Sequence, residues 1–185
     1  TISFNLENLK SSNKSYGHRF MQPKGFKVTN WDDYIEGLEQ GYVLLDQTKR
    51  RDTISAEIAQ LADKLGGFIP EDPDLLETVS NLVETPVVLK GNFEEKFLTL
   101  PNEVLISVMK NHQKYFAVFS KSDKDELLPH FIFVCGTPVK NNDVVSKGNE
   151  RVIRARFTDA RFFYDEDKSA PLWDKLEDLK GMVYL

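Results

Sequence analysis

Several chemistries are short of raw material in this 185-residue chain. The single cysteine, Cys135, excludes an intramolecular disulfide framework, so a reducing, cytoplasmic compartment is expected. Cys135 closes the apolar run Phe131–Cys135 and reads as a small buried hydrophobe, not a reactive thiol. The three histidines, His18, His112 and His130, are scattered, and no Cys/His cluster has metal-ligand spacing. No metal site is therefore expected. There is no glycine loop of the P-loop or dinucleotide type and no local motif that presents a nucleophile. No catalytic group is expected in this stretch. No apolar run approaches the ~20 residues that span a bilayer, so no membrane partner is expected. The net charge of -5 excludes a general basic coat and gives no reason to expect DNA, but it leaves room for a local basic face.

Apolar material is plentiful. Hydrophobic residues make up 41% and there are 13 Phe, enough to build a core and to argue against wholesale disorder. The chain opens on Thr1 and closes in Met182-Val183-Tyr184-Leu185. Both ends are expected to be internal to a longer protein.

Local patterns predict the elements. Ile2, Phe4 and Leu6 alternate with polar residues as in a strand, and Gly17–Met21 reads as a second one. Asn30 is a predicted N-cap for a short helix through Gly37. A longer helix is expected from about Leu45 to Leu65, with Ile54, Ile58, Leu61 and Leu65 on one face and Gly66-Gly67 at its end. Asp72-Pro73 opens a third helix, whose buried face is Leu75, Leu76, Val79, Leu82 and Val83. Beyond Thr85-Pro86 the pattern changes. Val87–Leu89, Lys96–Leu100, Tyr115–Phe119 and Phe131–Cys135 read as strands, the last two as an antiparallel pair. A short helix starts at Pro101. A long one is expected over Asn149–Tyr164 with Ile153, Phe157, Ala160 and Tyr164 inward, and a last one over Pro171–Leu179. The sum is an α+β fold: an antiparallel β-rich core, an inserted helical hairpin and a C-terminal helical segment. Residues 1–28 and 86–185 are assigned to the core and 29–85 to the inserted helical region, all within a fragment of a larger subunit.

Two features could carry function. The turn Met109–Phe116 gathers Lys110, His112 and Lys114 beside Tyr115 and Phe116. It reads as a surface for RNA phosphate with an aromatic platform for a base, or as a turn tied together by its amides. The second is the arginine-rich helix, where Arg151, Arg154 and Arg161 fall on one side. Guanidinium forks suit phosphates and carboxylates alike, and Glu150–Arg154 is an i,i+4 pair. Between Lys110 and Arg161 ten Lys and Arg face six Asp and Glu, net +4, so the rest of the chain carries -9. Lys110, His112, Lys114, Tyr115, Arg151 and Arg154 are the candidate RNA-binding residues. Two other segments are weaker. Gly17–Phe20 reads as a packing or salt-bridge element and not a catalytic one, and Asp165–Asp167 as a solvated helix end in preference to a cation site.

Taken in order, the segments resemble the β subunit of bacterial glycyl-tRNA synthetase. Gly17-His18-Arg19-Phe20-Met21 looks like that family's GHRF segment, and Leu82–Leu89 like its LVE-P-V segment. Phe93–Leu98 is similar to its FEEKFL, and His112–Phe116 to its HQKYF. Leu128-Pro129 with Phe131-Ile132, Gly148–Val152, Arg154–Phe157 and Asp159–Phe163 follow in the family's order. The likeness runs from about Tyr16 to the last residue. Arg161 and the long charged loop Ser120–Glu126 depart from it. The resemblance implies an α2β2 ligase that joins glycine to tRNA-Gly with ATP and Mg2+, both used through a class II catalytic core on the α subunit. The β subunit would contribute tRNA recognition, with HD-like and anticodon-binding domains outside this stretch. The segment itself, without cofactors, is expected to be an inactive accessory module for tRNA positioning or subunit assembly. A purely structural scaffold and a hydrolytic editing domain are the alternatives.

Overall fold

The computed structural model describes residues 4–138, 140–169, 171–174 and 176. Its centre is a four-stranded antiparallel sheet in the order β5 (Gly67–Phe68), β7 (Phe116–Ser120), β8 (Leu127–Cys135), β6 (Val87–Asn92). Side chains alternate across a sheet, so its two faces build two cores. Phe131 and Phe133 of β8 join one core, with Leu89, Phe93, Phe97, Leu105, Met109, Tyr115, Ile153 and Phe157. Ile132 of β8 and Phe116 and Val118 of β7 join the other, with Ile54, Ile58, Ala62, Leu75, Val79 and Val83. Helices α2 (Gln47–Lys64) and α3 (Pro73–Leu82) cover that second face. The first face lies under the 3-10 helix Glu95–Thr99, α4 (Asn102–Ser107), the π-helix Val108–Gln113 and the 28-residue α5 (Asn142–Ser169). This is the α+β arrangement that the sequence implies.

The helix boundaries follow from side chains near the breaks. The Asn30 side chain accepts from the Asp33 amide and starts α1 (Trp31–Gln40). That helix runs past Gly37, because the Phe26 ring packs on Gly37 and turns it inward; the helix ends at Gly41 instead. Asp46 caps α2, and Gly66 at φ 74 leaves it in the left-handed conformation that glycine adopts without steric cost. Gly67 then enters β5, a two-residue strand absent from the sequence reading, which pairs with Phe119 and Ser120. It lies within residues 29–85 yet belongs to the central sheet.

Three further expectations change. Gly17–Met21 forms a turn, not a strand: His18 Nδ1 accepts from the Phe20 and Met21 amides, each at 3.2 Å. The flanking residues pair instead, as β3 (Lys14–Ser15) with β4 (Phe26–Lys27), after a first small ribbon of β1 (Asn5–Leu6) and β2 (Leu9–Lys10). Lys96–Leu100 is not a strand either. Phe97 and Leu100 are both buried three residues apart, a spacing that matches one 3-10 turn and not an alternating strand. Leu82 is 67% exposed, because the chain leaves α3 there and Val83 takes the buried place. The strand expected at Ile2 and the last helix expected over Pro171–Leu179 fall partly outside the described residues; Leu172–Asp174 form a 3-10 turn.

Strand β8 carries an irregularity. Ala117 pairs with Phe131 and Phe119 with Leu127, so β8 uses four steps where β7 uses two. Pro129 lies in the surplus, where its missing amide proton interrupts no ladder, and its carbonyl accepts from the Phe93 amide at 3.1 Å.

The first forty residues attach at one corner. Gly17 and Gly41 meet backbone to backbone, and a Cβ on Gly17 would come within 2.6 Å of the Gly41 Cα. The His18 amide donates to the Gly41 carbonyl. The following loop is bound to the end of α3, where the Leu44 amide donates to Glu84 and the Thr85 hydroxyl to the Tyr42 carbonyl. Arg50 closes the corner: its Nε reaches the Ser80 carbonyl at 2.6 Å, and one Nη reaches the carbonyls of Leu44 and Leu45.

Candidate nucleic-acid interface

The turn and the arginine helix, distant in sequence, are neighbours in space. The π-helix packs on α5, and the Tyr115 hydroxyl donates to Asn149 Oδ1. A π turn accommodates one residue more than an α turn, and it ends here at Lys114, whose φ of 59 reverses the chain into β7. His112 is exposed on the π-helix, and Lys114 Nζ donates to the Asn111 carbonyl at 3.1 Å. Arg151, also exposed, forms no ion pair among the described residues.

The other candidates are engaged. Tyr115 is 6% exposed, stacked on Phe131 with ring centroids 4.7 Å apart and a second contact to Phe133. Its ring offers no open face to a base, which corrects the reading of Tyr115 as a platform: it is a core residue. Burial, with Cys135 nearby, pushes its hydroxyl pKa up to about 12, so it remains a neutral donor. Arg154 Nε pairs with Glu94 at 2.7 Å, not with Glu150, which turns to the Asn92 backbone and side-chain amides. Lys110 pairs with Asp72 at 2.5 Å. Neither acidic partner was legible in the sequence, since each lies far from its cation along the chain and only the fold joins them.

Asp72 has two tasks. One oxygen caps α3 by accepting from the Leu75 amide, and the other holds Lys110. Burial pushes its carboxyl up, but Lys110 and the Leu75 amide outweigh this and hold it below its ordinary value. A lowered folded pKa contributes stability above the unfolded value and loses it as pH falls through the folded one. The wild type is thus expected to lose thermal stability below about pH 4, and Asp72→Asn, which keeps a cap acceptor without the charge, to respond less. Identical acid profiles for the two proteins would refute the linkage.

The remaining clusters offer little chemistry. His18 is buried with Nε2 3.9 Å from Glu84 and is committed to its turn. A cleft of about 520 Å³ between α2 and residues 69–73 has apolar walls, including Ile58, Ala62, Leu76 and Phe116, and Asp63 and Lys121 pair at its rim. Among the described residues no three His, Cys, Asp or Glu gather as a metal site. No described helix is long and apolar enough to cross a membrane.

The family model described as "Glycyl-tRNA synthetase beta subunit" matches residues 1–185. The chain belongs to the glycyl-tRNA synthetase β-subunit family. Among its relatives, the glycine–tRNA ligase beta subunit of Syntrophotalea carbinolica is 45% identical over 183 residues. Those of Moorella thermoacetica and Shewanella woodyi are 43% and 46% identical, over 183 and 180 residues. The alignments cover 99%, 99% and 97% of this chain but 26% of each relative, so the chain spans about a quarter of a β subunit's length. The GHRF and HQKYF segments that carry the resemblance prove to be two tight turns, one built around His18 and the other ending at Lys114.

Proposed function

We propose that this chain is an accessory part of a cytoplasmic glycine–tRNA ligase, helping to position tRNA-Gly or to hold the β subunit on its α partner. In this reading ATP and Mg2+ act at a class II catalytic core on the α subunit of an α2β2 assembly, and the present residues form no adenylate. The observation that carries it is the contact between the π-helix and α5, which sets the exposed His112 and the half-buried Lys114 beside the helix bearing Arg151, a cation without an ion pair among the described residues. Side chains of this kind on adjoining elements suit phosphates of a folded RNA.

The test uses the assembled enzyme. Lys114→Ala with Arg151→Ala is expected to lower tRNA-Gly affinity and to flatten the slope of log K against log salt by about 1 to 2, one phosphate contact per cation. Unchanged affinity and slope would remove the contact. A scaffold without RNA contact is the second reading. What favours it is specific: Arg154, Lys110 and Tyr115 spend their polar groups inside the fold on Glu94, Asp72 and Asn149.

A further inference from the structure

A separate surface at the other end of the chain also carries marks of nucleic-acid chemistry. Residues 1–30 contain Lys10, Lys14, Arg19, Lys24 and Lys27 against Glu7 alone, net +4, while α1 across the groove adds Asp32, Asp33, Glu36 and Glu39, so the positive charge is confined to the ribbon side. Among the described residues none of these five cations forms an ion pair. Lys14 and Lys27 are direct cross-strand partners in the β3–β4 ribbon. Like charges placed opposite each other repel, and an anion bound between them would relieve that repulsion.

Aromatic rings are interleaved with these cations. Trp31 is 68% exposed on the first turn of α1, and its ring meets Tyr34 at 5.6 Å. Lys14 lies over the exposed Tyr16 and Arg19 over the exposed Phe20. Between ribbon and helix runs an open groove of about 520 Å³, lined by Asn13, Lys14, Asn30, Trp31 and Tyr34. That is within the ~300–1,000 Å³ range of sites for ligands the size of a nucleotide. Of the two carboxylates at the start of α1, Asp33 is occupied by the Thr29 amide and hydroxyl, which hold its pKa low.

We infer that this groove binds single-stranded RNA, one base stacking on Trp31 while Lys14 and Lys27 take the flanking phosphates; the inference rests on the RNA-binding role proposed above but assigns a second, independent surface. A rigid aromatic face accepts any base, and Asn13 on the groove wall offers an amide to a base edge, whereas Asn30 is held as the cap of α1. Unpaired lysines on a ribbon suit a flexible backbone better than a duplex, because no fixed fork geometry is required of them.

The test is photocrosslinking of 4-thiouridine-substituted RNA to the assembled enzyme containing the full-length β subunit, with crosslinked peptides mapped. The probe is an unstructured RNA of about twelve nucleotides, within the span of known single-strand sites. A crosslink to the peptide holding Trp31 and Tyr34 is expected. Trp31→Ala should reduce binding at that site by roughly 5- to 160-fold, the range for one lost stack. Lys14→Ala with Lys27→Ala, two exposed changes that spare the fold, should cut the yield and flatten its salt slope by about 1.4. Crosslinks at residues 108–116 or 147–156 but none within 4–40 would overturn the groove and leave the earlier proposal standing. Crosslinks at the groove would support it, and the Arg151 contact stands or falls separately on the tRNA-Gly titration above. Absence of crosslinks from all three segments would likewise overturn the groove. A Trp31→Ala variant that loosens subunit assembly while RNA crosslinking stays unchanged would assign the surface to protein and overturn the inference.

Discussion

Phe157→Ala is expected to cost about 3–5 kcal/mol, the range for removing a buried phenyl ring and leaving its cavity. Phe157 is 0% exposed and lies midway along α5. Phe93 meets it edge-on with centroids 5.0 Å apart, and Phe97 lies at 5.4 Å. Both neighbours belong to the segment joining β6 to α4, so one ring fastens the long helix to that connection. Neither neighbour can swing into the void without leaving its own buried seat. Native-state hydrogen exchange in the full-length subunit is the measurement. The α5 amides should lose protection by that amount, while Phe163→Ala, at a site 63% exposed, should change it by about 0.5 kcal/mol or less. Equal effects of the two substitutions would mean that α5 is not held through Phe157.

Arg50→Ala should be the next most damaging change, at roughly 3 kcal/mol, since hydrogen bonds to a charged donor contribute about 1.5–3 kcal/mol each. Its guanidinium is shared between the Ser80 carbonyl of α3 and the Leu44 and Leu45 carbonyls of the loop. Removing it orphans acceptors on both elements at once. Arg50→Lys should recover little, because a single ammonium cannot reproduce the planar fork that reaches two directions. Exchange should rise at the end of α3 and in residues 42–45 before it rises in the sheet. Full rescue by lysine would show that charge alone matters there.

What could be read from the sequence was local in origin. Asn30, Asp72-Pro73 and Gly66 act on atoms a few residues away, so their cap and turn chemistry is visible in any short window. The phenylalanine-rich strands β7 and β8 were legible because their alternation serves two buried faces. Strand β5 was not, since a glycine and a phenylalanine become a strand only beside Phe119 and Ser120. The π-helix was hidden for a similar reason: Met109 and Tyr115 are both drawn into one core, and the backbone widens to deliver them. At the candidate site, residue types were legible but their commitments were not. Lys110 and Arg154 look alike as free cations until Asp72 and Glu94 arrive from elsewhere in the fold. The basic ribbon at residues 14–27 is not legible in the sequence because Lys14 and Lys27 become neighbours only through strand pairing, and because Trp31 reads as an ordinary helix residue until its exposure is known.

The surplus in β8 bears on how this sheet tolerates changes in length. Ala117, Phe119, Leu127 and Phe131 all serve the same core, although β8 spends two more residues than β7 between them. An even surplus preserves parity: every side chain beyond it still points to its own face. Loss of Leu128 and Pro129 together would shorten the strand without turning its core outward, sacrificing only the Phe93 contact and one partly buried leucine. Loss of either alone would invert one end of the strand relative to the other. Insertions and deletions at this point of the family are thus expected to come in pairs.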